Sequence, residues 1–173
     1  MPVNTLKELL RLRLGETYFA EQEVLQLLDA IETETHSRLL RDRVRTRREE
    51  ARRHVTAVEK CFELLGTDPP RASSPAMHGL CEERRGFARE APGPVALESY
   101  HVDLLHRIAH YKVAAYQGLL ALATEIGQSD VHALLERCLR EEATASTWLL
   151  EQRAGVLAEV RPPAPERALA RPV

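Results

Sequence analysis

Where the helical periodicity stops constrains this chain more than any other feature. Apolar residues recur at spacings of three and four along four long stretches, the mark of amphipathic helices. The first stretch starts at an N-cap near Asn4 or Thr5, with Glu8 close behind, and runs to about Thr33. The second follows almost at once from Ser37 and ends at Gly66, with Pro69 beyond it. The third runs from about Val95 to Gly127, and Ser129 or Asp130 caps a fourth that reaches about Val160. Between the second and third lie about 29 residues (66–94), far beyond the ~2–8 that usually join neighbouring helices of a bundle.

These connection lengths decide the expected topology. A few residues join stretches one and two, and three and four, so each pair folds as an antiparallel hairpin. The long connection contains "SSPAMHGLCEERRGFARE", which predicts a short helix beginning at Ser74 with Pro75 at its first position. Two hairpins and one long crossover describe an all-α, ferritin-like four-helix bundle spanning residues 1–160. The closing "RPPAPERALARPV" (161–173) reads as a disordered, proline-rich tail.

The chain has 173 residues, enough for one domain with a sizeable core. Its net charge of -2 predicts no general attraction to nucleic acid or anionic lipid. Cys61, Cys81 and Cys138 are odd in number and fit no metal-ligand spacing, so they are expected to be reduced, buried thiols of a cytoplasmic protein. The charged N-terminus "MPVNTLKELLRLRL" is an amphipathic helix and not a signal peptide, and "VAAYQGLLALA" is too short to span a bilayer. No membrane association is expected.

Charged residues interrupt the apolar stripes. Helix one presents Leu10, Leu14, Thr17, Glu21, Val24, Leu28 and Ile31. The fourth long helix presents Val131, Leu135, Cys138, Glu142, Ala145 and Leu149. The second packs Val44, Ala51, Val55, Val58 and Phe62, with Glu50 and His54 one turn apart beside the seam. The third presents Leu105, Ile108, Lys112, Ala115, Leu119, Leu122 and Ile126, with a lysine in mid-stripe. An isolated buried carboxylate is costly and persists with a partner. In ferritin-like proteins that partner is a pair of metal ions; otherwise the glutamates lie at stripe edges and reach water.

The segments "ETYFAEQEVLQLL", "EEARRHVTAVEKCFELLG", "AMHGLCEE", "AHYKVAAYQGLLALATEIG" and "LLERCLREEATA" resemble the YciE/YciF-like family of the ferritin superfamily. These are small bacterial helical proteins linked with stress responses, and the likeness runs from about Leu6 to Leu157. It implies a homodimer and, where the ligand set is complete, a di-metal site. Carried over, Glu21 matches the helix-one ligand, Glu49 or Glu50 the helix-two acidic position, with His54 beside it, and Glu142 the last-helix ligand. The third long helix departs from the pattern: the family reads "EHYE" where this chain has "AHYK", so Ala109 and Lys112 replace both glutamates. Ser146 stands where an acid is expected one turn after Glu142, and Ser74 where the crossover usually has a cysteine.

A protonated lysine cannot ligate a metal and brings a compact positive charge. The expectation is a metal-free bundle with a vestigial Glu21, Glu50, His54 and Glu142 set, in which Lys112 pairs with Glu21, Glu142 or Glu50. The other reading of Lys112 is a side chain that extends its ammonium to the surface. The functional expectation is a non-catalytic, stress-associated protein. Its alternative is an Fe- or Mn-binding protein that reduces peroxide or oxidises iron.

Two further features carry chemistry. His106 and His110 lie four apart with His101 nearby, a spacing that can bind Zn or Ni, although an exposed or interfacial pair is the expectation. The run Arg38–Arg53 holds eight arginines against three acids. Without interleaved aromatics it predicts a solvated face or a dimer contact in preference to a nucleic-acid surface. Nucleophile triads, glycine-rich phosphate loops and HExxH motifs are absent from the sequence.

Overall fold

The computed structural model describes residues 3–70 and 72–162. Among them are five helices and no strand: α1 (Leu6–Glu34), α2 (Arg38–Leu64), α3 (Pro75–Arg89), α4 (Pro94–Glu125) and α5 (Ser129–Val160). Residues 163–173, most of the expected tail, lie outside the described residues.

Local chemistry sets the helix ends. Thr5 and Glu8 form a reciprocal capping box at the start of α1. The Ser37 hydroxyl accepts the Leu40 N–H at the start of α2. Gly66 and Gly127, at φ of +66° and +69°, turn the chain out of α2 and α4 in a conformation that only glycine adopts cheaply. The cap of α5 is Gln128 and not Ser129 or Asp130, because the chain re-enters helix directly after the Gly127 turn. Pro75 opens α3 as its spacing suggests, but the Ser74 hydroxyl bonds the Tyr111 hydroxyl (2.9 Å) and makes no cap.

Side-chain pairings fix the helix directions. Tyr18 meets Glu59, Asp29 meets Arg48 and Glu32 meets Arg45, so partners advance in opposite senses and α1 and α2 are antiparallel. The same pattern makes α4 and α5 antiparallel, through Asp103–Arg153 and Lys112–Glu142. It also makes α1 and α4 antiparallel, through Thr35–Glu98 and Glu21–Tyr116, and α2 and α5, through Ser37–Glu159 and His54–Glu141. The four long helices therefore close a ring in which every neighbour is antiparallel and the diagonals α1/α5 and α2/α4 run parallel.

That geometry explains the long crossover. Because α2 and α4 point the same way, the chain must travel back about 40 Å, the length of the 27-residue α2, before α4 can begin. The route crosses α1 at Gly15, where an added Cβ would lie 2.7 Å from Pro70 Cγ. Along it, α3 packs on α1 and α4 through buried Met77 and Cys81, a stacked Phe87–Tyr100 pair and the Arg107–Glu83 ion pair.

The stripes of α1 and α5 are buried as their spacing predicts. In α4 the buried line shifts after Lys112, and Tyr116 and Ala123 occupy it where Ala115 and Leu122 were expected. In α2, Val55 is half-buried and His54 takes the interior position. The interior falls into two apolar clusters, one around Leu28, Val44, Leu104 and Leu149, the other around Leu14, Phe62, Leu119 and Leu135. Charged side chains lie between them.

Candidate functional site

The charged layer is assembled from all four long helices. Glu21 of α1, His54 of α2, Lys112 of α4 and Glu142 of α5 are each at most 2 % exposed. Each holds a position at which its helix would otherwise present an apolar side chain to the core. Lys112 Nζ lies 2.7 Å from Glu21 Oε2 and 2.5 Å from Glu142 Oε1, with His54 Nδ1 at 3.5 Å. His54 Nδ1 is itself 3.4 Å from Glu21 and 3.3 Å from Glu142, while its Nε2 faces Glu141 at 3.1 Å. The Tyr116 hydroxyl donates to the other Glu21 oxygen at 2.6 Å.

A second cation completes the layer. Arg47 is 4 % exposed and donates from Nη2 to Glu142 Oε2 at 2.6 Å and from Nη1 to Glu50 Oε2 at 2.7 Å. Glu142 therefore bridges two cations, one on each oxygen. Arg43 Nη1 approaches the free oxygen of Glu50 at 3.4 Å and lies over the Trp148 ring. Three inward carboxylates, Glu21, Glu50 and Glu142, thus face three fixed cations, Lys112, Arg47 and Arg43. Glu49 points outward onto Arg52, so Glu50 is the inward carboxylate of α2, and its counter-ions are arginines and not Lys112.

Titration behaviour follows from this geometry. Burial pushes the carboxyl pKa of Glu21 upward, but Lys112 and the His54 hydrogen bond outweigh burial and hold it below its usual value. For Glu142, Lys112 and Arg47 together overcome burial and hold it well below that value. Burial lowers the His54 pKa, while hydrogen bonds to Glu142 and Glu21 more than reverse this and leave it raised. Burial, reinforced by Glu21, drives the Tyr116 phenol far above its normal range.

Glu21, His54 and Glu142 bring one potential ligand atom each within 4.8 Å of one another, a set able in type to hold a metal ion. The Lys112 ammonium shares that space. On the α2/α5 side an open cleft of about 470 Å³ reaches His54 and Cys138 between Arg53, Arg137 and Glu141. Burial drives the Cys61 and Cys138 thiols up to about 12 and Cys81 to about 11, so none is poised as a nucleophile. No described helix is long and apolar enough to cross a membrane.

Sequence spacing singles out Glu21, Glu50, His54, Lys112 and Glu142, and the structure brings all five into one layer, Glu50 through Arg47. Arg47 is the participant that the sequence reading misses. Its signal is the spacing Val44–Arg47–Ala51, which places an arginine on the buried stripe of α2. The remaining arginines of that run are mostly matched by acids: Arg45 by Glu32, Arg48 by Asp29, Arg52 by Glu49 and Arg53 by Glu141.

A closed ring of four long helices around a layer of matched charges, with a helical crossover on its side, defines an all-helical protein built about a polar centre. A family described as a domain of unknown function, DUF892, matches residues 5–159, and the chain belongs to that family. Protein YciF of Escherichia coli (strain K12) is 23 % identical over 152 residues, which cover 87 % of this chain and 92 % of YciF. Among solved structures, YcfI from Rhodopseudomonas palustris superposes with a TM-score of 0.82 at 29 % identity, over 86 % of this chain and 94 % of that one. The E. coli stress protein YciF superposes with a TM-score of 0.85 at 21 % identity, over 90 % of this chain and 99 % of that one. The latter likeness speaks to the fold, and with the family match it makes the chain YciF-like.

Proposed function

We propose that this chain is a non-catalytic, ferritin-like member of its family in which side-chain cations do the electrostatic work of a di-metal centre. The observation that carries the reading is the Lys112 ammonium seated between Glu21 and Glu142 at 2.7 and 2.5 Å. An ion bound to those carboxylates and His54 would have to displace a buried ammonium. It would also leave that like charge a few ångströms away, at a cost of about 4 kcal/mol per unit-charge pair at an effective dielectric of 20. Arg47 holds the second oxygen of Glu142, so a second ion beside Glu50 meets the same obstacle. Ala109 supplies no ligand, and the Ser146 hydroxyl bonds His110. The residues present therefore do not fit a di-metal group.

Antiparallel neighbours, parallel diagonals and the long crossover support the ferritin-like four-helix assignment. The charged layer would then act as a clamp tying all four long helices together at mid-length, on a scaffold that serves by binding or by structure. A stress-associated role and a homodimer belong to the same reading. The name of the E. coli relative supports the first, and the prevalence of two-fold assemblies among closed oligomers supports the second.

The test is to rebuild the missing ligands. The double variant Ala109→Glu/Lys112→Glu should bind Fe²⁺ or Mn²⁺ under conditions in which the parent binds neither. Metal uptake equal in the two folded proteins would refute the substitution of lysine for metal. Circular dichroism establishes that the variant is folded, and a variant that folds only with metal present would also support the reading.

A further inference from the structure

Away from the core, α4 carries a second group of donors. His106 and His110 stand one helical turn apart; His110 is exposed and His106 half-buried. Their Nε2 atoms converge to 3.1 Å, with the rings edge to face and the centroids 4.5 Å apart. Ser146 Oγ, across on α5, lies 3.0 Å from His110 Nε2. His110 Nε2 thus meets a second imidazole nitrogen and a hydroxyl at the α4/α5 surface. Neighbouring charges are already spoken for: Asp103, one turn before His106, is held by Arg153, and Arg107 by Glu83.

We infer that His106 and His110 form a surface chelate for a late first-row divalent cation of the Zn²⁺, Ni²⁺ or Cu²⁺ class. The bite decides this. Two metal–nitrogen bonds of ~2.0–2.1 Å spanning 3.1 Å subtend about 98° at the metal, between the cis angle of a square-planar or octahedral site and the tetrahedral angle. Residues at i and i+4 on a helix are held in this register by the backbone, so little side-chain ordering remains to be done on binding. Ser146 Oγ is placed to accept a hydrogen bond from a metal-bound water or to approach the ion as a neutral oxygen. Water completes the coordination. Imidazole donors favour Cu²⁺, then Ni²⁺ and Zn²⁺, over the oxygen-seeking Mn²⁺ and Mg²⁺. This site shares no residue with the charged core, and the two are tested separately.

The experiment is calorimetric titration of the full, untagged chain with ZnCl₂, NiCl₂, CuCl₂ and MgCl₂ in a non-chelating buffer near neutral pH. The expected result is one equivalent of Zn²⁺, Ni²⁺ or Cu²⁺ per chain and no Mg²⁺. Either His106→Ala or His110→Ala should weaken binding by at least about tenfold, with an unchanged circular dichroism spectrum. Nitrogen-15 spectra of the histidine side chains should shift at these two rings on addition of Zn²⁺. Absence of binding up to millimolar Zn²⁺ would reduce the pair to one ring donating a hydrogen bond to the other and overturn the inference. Binding that survives both substitutions would place the ion elsewhere and overturn it equally.

Discussion

Two regions of this molecule bury carboxylates completely, and they do so by opposite means. At one end Glu98 accepts from the Thr35 hydroxyl at 2.5 Å, from the Ser37 N–H at 3.0 Å and from the His36 N–H. All three donors belong to the turn that starts α2, where unpaired amides and the helix dipole favour an anion. At mid-length, Glu21 and Glu142 are held by charged side chains from other helices. The carboxylate at the turn is part of how the α1–α2 connection is made, and any chain folding this way would supply its two backbone donors, leaving only the Thr35 hydroxyl dependent on residue identity. The side-chain-held pair depends on the identity of individual residues on separate helices. One substitution at such a site can change what the centre of the protein is.

The largest effect expected from breaking this contrast is at Lys112. Lys112→Met leaves Glu21 and Glu142 buried without their shared ammonium and should cost roughly 3–5 kcal/mol in urea unfolding at pH 7. The pH dependence should also change. In the parent the two carboxyl pKa values lie below the unfolded value near 4.5, so their stabilisation is complete above that pH and is lost as pH falls through the folded values. The raised His54 pKa adds stability that is complete below about 6.5 and lost as pH rises through its folded value. The parent should therefore be most stable between about pH 4.5 and 6.5. In Lys112→Met the uncompensated carboxyls titrate upward, and the gain in stability on acidification from pH 7 to 5 should exceed the parent's. A variant as stable as the parent, with the same pH profile, would show that the layer's charges are not coupled.

Glu98→Gln should cost less, about 1–2 kcal/mol, because the amide oxygen still accepts from part of the Thr35–Ser37 turn and only the charge–dipole gain and one acceptor are lost. A loss matching that of Lys112→Met would mean that both carboxylates are held by the same kind of force. The smallest effect belongs to the surface: Glu83→Gln, opposite Arg107 in a half-exposed pair, should change stability by ~0–1 kcal/mol.

The same contrast explains what the sequence reveals. Thr5, Ser37, Gly66 and Gly127 are legible as helix ends because caps and left-handed turns are local chemistry. Glu21, Lys112 and Glu142 are legible because each interrupts an otherwise apolar stripe. Arg47 is hidden by company: it stands among eight arginines, and composition alone assigns all of them to solvent. Glu98 escapes notice, and His101 is grouped with His106 and His110 although it is fully buried, because the apolar stripe of α4 is read from Leu105 onward, while Glu98–His101–Leu105 continues its spacing. No spacing rule could reveal that Glu142 joins Lys112 to Arg47, since that link runs between three helices and exists only once they pack.

The central claim is that side-chain cations occupy the place of metal, and the content of Fe and Mn in the purified protein tests it most directly. The chain, produced in iron- and manganese-supplemented medium and purified without chelators, should contain less than about a tenth of an equivalent of either metal by elemental analysis. The His106/His110 pair would contribute Zn or Ni and not these ions. About two equivalents of Fe or Mn per chain, retained through gel filtration, would contradict the account and make the charged layer a metal centre.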